Sequence, residues 1–196
     1  MTGGILEPNK NVKILILEDI PEDAELMTSE LENAGFVVDW RAVDDEVGFE
    51  SALDHFKPDI ILADYSLPKT SGLEALVIAQ RKASDVPFVF VTGIVGEEIA
   101  AETILNGASG LLLKKNISKL PNLVASLIQS KSMVSQRLNG VLERIDNRIK
   151  ENVDTLSRIH KFMEGNKMSD PVTQDIKLTI SQLKSIQDDL KDENKK

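Results

Sequence analysis

Cysteine is absent from all 196 residues. That excludes a disulfide scaffold and a thiolate metal site, and it fits a reducing compartment. Long apolar runs are also missing: none approaches the roughly 20 residues needed to cross a bilayer. The start, Met1-Thr2-Gly3-Gly4, lacks the basic stretch and apolar core of a secretory signal. A soluble, cytoplasmic protein is the expectation. No G-x-G-x-x-G and no Walker loop occurs, and Gly93-Ile94-Val95-Gly96 is too short a signal for a flavin or dinucleotide site. Basic excess is lacking as well. The net charge of −9 divides into −11 over residues 1–130 (10 basic, 21 acidic) and +2 over residues 131–196 (13 basic, 11 acidic). Neither part is basic enough to predict nucleic-acid binding.

What the chain does have is alternation. Strand candidates are Val12–Leu17, Val37–Val43, Ile60–Ala63, Phe88–Val91 and Gly110–Leu113, and the short continuous apolar runs among them read as buried parallel strands. Amphipathic stretches follow them at Pro21–Ala34, Asp45–Phe56, Ser71–Lys82, Gly96–Asn106 and Ile117–Gln129. Pro21 suits the first turn of a helix, and Gly35 and Gly107 suit left-handed helix exits. Five strands each followed by a helix predict an α/β fold, a doubly wound five-stranded parallel sheet with right-handed crossovers.

Two of the runs end in acid: Glu18-Asp19 after Leu17, and Asp64 after Ala63. In open α/β sheets chemistry gathers at the carboxyl ends of the strands. Three carboxylates converging there repel one another, so such a cluster calls for a hard divalent cation. Taken alone, Glu18-Asp19 could equally cap the helix opening at Pro21, and Asp64 could cap a turn.

The order of these elements resembles the receiver domain of two-component response regulators over residues 11–130. Glu18 and Asp19 match the family's acidic pair, and Asp64, in Asp64-Tyr65-Ser66-Leu67-Pro68, matches the phospho-accepting aspartate. Thr92 matches the hydroxyl residue after the fourth strand, and Lys114 matches the family lysine after the fifth. The resemblance implies a flavodoxin-like fold and Mg²⁺ held by Asp19, Asp64, the backbone carbonyl of Ser66, and Glu18 directly or through water. It also implies a phosphoryl group on Asp64, contacted by Lys114 and Thr92. A carboxylate can attack phosphorus to give an acyl phosphate, with the metal offsetting the charges that meet there. Such a switch catalyses its own phosphorylation and turns over no separate substrate. Two positions depart from the family pattern. Leu111 replaces the usual aromatic residue, and Lys115 replaces the proline that follows the lysine; without proline a cis peptide costs about 3 kcal/mol.

Residues 131–196 read differently, after a short N-terminal stretch (1–10) and the receiver (11–130). Val141, Ile145, Ile149, Val153, Leu156, Ile159 and Met163 recur every three or four residues, the stripe of a long helix. Gly165-Asn166 and Asp170-Pro171 break it, and Val172, Ile176, Ile180, Leu183, Ile186 and Leu190 form a second stripe. The preceding helix either runs on into this tail or breaks at Ser126–Ser135 or Gly140. Two helices make a thin core, so a homodimer through a four-helix bundle or a docked partner protein is expected. The implied upstream partner is a sensor histidine kinase or a phosphotransfer protein. An alternative makes the tail a phosphotransfer hairpin acting through His160. The residue after it is Lys161, where sensor kinases carry an acid, and a lone helical histidine is usually solvated. His55, near a helix end, is a weaker candidate still.

Overall fold

The computed structural model describes residues 11–93, 96–165 and 171–193. Five strands, β1 (Asn11–Leu17), β2 (Val37–Val43), β3 (Ile60–Ala63), β4 (Phe88–Thr92) and β5 (Gly110–Leu113), alternate with helices α1 (Pro21–Asn33), α2 (Glu46–Phe56), α3 (Gly72–Lys82) and α4 (Glu97–Leu105). The strands form one parallel sheet in the order β2-β1-β3-β4-β5. This is the doubly wound α/β architecture that the alternation predicts.

Strand side chains alternate between the two faces, and each face has its own core. Ile14 and Ile16 of β1 pack with Met27 and Leu31 of α1, while Leu15 and Leu17 pack with Phe49 and Leu53 of α2 and Leu76 of α3. Because β1, β3 and β4 are covered on both sides, they carry nearly continuous apolar runs. Only β2, at the sheet edge, is largely exposed.

Local chemistry sets the helix ends. Asp45 caps α2 by accepting from the Gly48 N–H at 2.7 Å, and Ser71 and Glu74 form a capping box on α3. Gly35 and Gly107 take φ of +92° and +88°, which lets the chain leave α1 and α4 without a Cβ clash.

Beyond β5 the chain differs from the simplest reading of the sequence. Lys114–Lys119 winds as a 3₁₀ segment, and α5 then runs unbroken from Leu120 to Gly165. Proline at the second position of α5 fits a first turn that needs no N–H from it. The serines do not break this helix; the Ser130 hydroxyl donates back to the Ser126 carbonyl at 2.8 Å. Gly140 costs about 1 kcal/mol within a helix, too little to stop so long a run. The final helix, α6 (Pro171–Glu193), opens on Pro171. The break expected at Asn166–Asp170 lies outside the described residues.

The chain divides into two compact units at the Ser132–Met133 boundary. In the first, Leu120, Val124 and Ile128 of α5 complete the core on the α1 face. In the second, Ile149 and Val153 of α5 are buried, and Gln187 on α6 donates to Asp146 on α5 at 2.8 Å. Among the described residues no helix is long and apolar enough to cross a membrane.

Among the described glycines, Gly72 has the least room for a side chain. A Cβ there would lie 2.6 Å from the Asp64 carbonyl oxygen, 2.8 Å from the Phe90 ring and 2.9 Å from the Tyr65 Cα. Two of these neighbours are backbone atoms and cannot step aside. Gly72→Ala is expected to destabilise the fold by about 2 kcal/mol, read as a lower urea midpoint with an unchanged slope.

Candidate functional site

Parallel register brings the strand ends together. Leu17 pairs with Ala63, which sets Glu18 and Asp64 side by side, and Thr92 pairs with Leu113, which sets Lys114 next to Thr92 along the same edge. Backbone hydrogen bonds extend the ladder past the strands, from Asp64 N–H to the Leu17 carbonyl (2.9 Å) and from Glu18 N–H to the Val43 carbonyl (3.0 Å). The acidic residues are therefore held by the sheet itself.

Their side chains meet on one ammonium. Lys114 Nζ lies 2.8 Å from Glu18 Oε2, 2.8 Å from Asp64 Oδ2 and 2.6 Å from Asp23 Oδ2. Asp64 Oδ1 accepts from the Ser66 N–H at 3.2 Å. Thr92 closes β4 and is buried. Asp19 is half-buried and lies outside this ion-pair set among the described contacts. Nearby, Lys69 of the β3–α3 loop pairs with Asp44 of the β2–α2 loop.

Burial pushes the Glu18 carboxyl above the usual glutamate range, although the Lys114 ammonium paired with it pulls the other way. For Lys114 the largest influence is again burial, which opposes its charge. Hydrogen bonds to Asp23 and Asp64 and the ion pair with Glu18 outweigh it, so the ammonium is held above the ordinary lysine value. The Glu18 side chain is fully enclosed. Its Oε2 touches Lys114 as an ion pair but receives no well-directed hydrogen bond. An enclosed carboxylate oxygen with spare acceptor capacity, in a pocket with three acids to one base, suits a hard oxygen-seeking cation. Among the described residues no group of three or more acids and histidines is already arranged as a metal cage; the Lys114 ammonium stands between the acids.

The sequence reading missed Asp23. It lies in the first turn of α1, and no local signal marks it as reaching the strand ends. A second missed link is Tyr65, whose hydroxyl donates to Glu102 Oε2 on α4 at 3.1 Å while its ring packs edge-on against Phe90 at 5.7 Å. Leu111 sits against the same apolar cluster. His160 lies on α5 in the second unit, and His55 is an exposed residue of α2 bonded to the Ser51 carbonyl.

This site, at the carboxyl edge of a five-stranded parallel sheet, defines a class. Residues 14–128 match the model of the response regulator receiver domain, and the chain belongs to that family. It is similar to the transcriptional regulatory protein YdfI of Bacillus subtilis, with 33% identity over 110 residues, 55% of this chain and 50% of YdfI. The chain thus spans about half the length of that relative. Among solved structures, the Francisella response regulator 1452 receiver domain superposes with a TM-score of 0.55 at 21% identity, covering 61% of this chain and 98% of its own. The Mn²⁺-bound response regulator Rcp1 superposes at 0.50 with 20% identity, covering 57% and 91%. At these identities the likeness is one of fold. Receiver domains are signalling switches of two-component systems rather than enzymes with separate substrates.

The opposing influences on Glu18 give a pH prediction. Its folded pKa lies above its unfolded one, so between the two values the folded state holds more protons and stability falls as pH rises. Glu18→Gln should flatten that slope in urea titrations taken from pH 4 upward. Carboxyl ¹³C NMR should show Glu18 titrating above a free glutamate, and higher still in Lys114→Gln, which removes the lysine's lowering influence and leaves only that of the Ile20 N–H.

Proposed function

We propose that this chain is a phosphorylation-dependent switch that accepts a phosphoryl group on Asp64 from a sensor histidine kinase or a phosphotransfer protein. The observation that carries this reading is the Lys114 ammonium 2.8 Å from both Glu18 and Asp64, residues brought from three separate strand ends.

An Asp64 carboxylate oxygen attacks phosphorus as the bond from phosphorus to the donor nitrogen breaks. The electron pair passes to that nitrogen, which takes up a proton. The product is an acyl phosphate on Asp64. Donor and nucleophile are both anionic, and Mg²⁺, when bound through Glu18, Asp19, Asp64 and the Ser66 carbonyl, supplies charge neutralisation. Lys114 carries a point charge on a flexible stem, suited to turn from Asp64 to a phosphoryl oxygen. The Thr92 hydroxyl can donate to the same group. The site's enclosure strengthens each of these interactions.

The signal leaves through α4, β5 and the start of α5. Thr92 leads into the loop before α4, and Tyr65, the residue after the acceptor, is bonded to Glu102 within α4. Ile104 and Leu105 of α4 are exposed, at 64% and 86%. With leucine at position 111, Tyr65 is the aromatic residue placed to report the state of Asp64 to α4. The tail then serves as a dimerisation or docking element. On α5, Val134, Leu138, Val141 and Ile145 are exposed at intervals of four, three and four residues, the spacing of a helix-pairing seam.

A small phosphodonor with Mg²⁺ is expected to add one phosphoryl unit to the wild type by intact mass, and none to Asp64→Asn; equal labelling of the variant would refute Asp64 as acceptor. Hydrogen exchange should change across residues 97–105 when a phosphoryl mimic is bound. Tyr65→Phe, which removes only the Glu102 bond, is expected to shift unmodified α4 toward the same pattern.

A further inference from the structure

Lys114 leaves β5 directly into the 3₁₀ segment, followed by Lys115 rather than a rigid ring. Its long stem has many rotamers, so its direction depends on what holds the ammonium. Of the three carboxylates that do so, Glu18 is fixed by burial, and Asp64 is the group whose own charge changes on modification. Asp23 differs from both. It belongs to a helix rather than a strand end, its side chain keeps 30% of its exposure, and at 2.6 Å it makes the shortest of the three contacts.

An acid in the first turn of α1 is accounted for by the positive end of the helix dipole. Glu22 beside it meets that need as well. The dipole does not account for a contact that reaches 91 positions along the chain. Nor does the core need it, since the α1 residues that pack inward are Ala24, Met27 and Leu31.

We propose that Asp23 is the positioning residue for Lys114, a tether on the α1 side of the pocket that keeps the ammonium over Asp64 while the phosphoryl group arrives. This rests on the receiver reading of Asp64. During transfer Lys114 must exchange Asp64 Oδ2 for a phosphoryl oxygen. A partner that does not take part in the reaction lets the ammonium pivot without leaving the pocket. Glu18 alone holds it from the strand side, and Asp23 supplies the opposing side.

The test uses the full chain as wild type, Asp23→Asn and Asp23→Glu, with two readouts. In the first, an amine-acylating reagent is applied without metal or phosphodonor, and Lys114 modification is scored by peptide mass against Lys115 and Lys119. Lys114 should be protected in the wild type, acylated about threefold faster or more in Asp23→Asn, and protected again in Asp23→Glu, whose carboxylate still reaches. In the second, acetyl phosphate with Mg²⁺ labels Asp64. Asp23→Asn should lower the maximal labelling rate about tenfold, as expected for a misplaced charge. The half-saturating donor concentration should not rise, and Asp23→Glu should recover most of the rate. Unchanged Lys114 protection in Asp23→Asn would overturn the tether, and so would an unchanged maximal rate. A wild type that takes no label would overturn the receiver reading and with it the part in transfer given to Asp23. The acylation arm separates that failure from a missing ion pair, because it needs neither metal nor donor.

Discussion

One ammonium set among three carboxylates governs the carboxyl edge of this sheet. Lys114 offsets a single negative charge, and Glu18, Asp23 and Asp64 supply three. Burial raises the cost of the charge on Glu18 and pushes its carboxyl above the usual range. A pocket left with surplus negative charge is poised to take cations and to reorganise when that charge changes. The same excess would keep an anionic donor away unless a cation accompanied it.

The two-sided core makes such an arrangement tolerable. β1, β3 and β4 are buried on both faces, so their ends are fixed by apolar packing that owes nothing to the acids. Gly72 lets the start of α3 press against the Asp64–Tyr65 backbone with no room for a side chain. Asp64 is thus held by main-chain contacts on one side and by the ladder bond to Leu17 on the other. A flexible base such as Lys114 can then move against a rigid acid, which is what a switch requires.

Most of the fold was legible because its signals are local. Aliphatic runs marked the strands, often to the residue, since burial on both faces demands continuous apolar character. Asp45, Ser71 and Pro21 marked helix starts because caps act within one turn. Glu18 and Asp64 could be singled out because strand ends converge in a parallel sheet, and Thr92 and Lys114 because the order of elements resembles a receiver. Asp23 could not be. Its contact depends on the rotation of α1 about its axis and on the reach of a lysine 91 residues away, and neither is written in a window of sequence. Tyr65 escaped for a related reason: its partner lies on α4, and only packing shows which way the ring turns. The unbroken run of α5 past its serines and Gly140 was left open by composition, because the few tenths to one kcal/mol that each residue costs are outweighed by the length of the helix.

Tyr65 is the only tyrosine of the chain, and Trp40, the only tryptophan, stands on the edge strand β2 with Val37, Asp39 and Arg41. Evolution has thereby left the molecule with one phenol chromophore, bonded to Glu102 and one peptide link from Asp64, and one indole on a strand two places away in the sheet. Ultraviolet difference absorbance at the phenol band can follow events at Asp64, with the indole as an internal baseline and no label attached.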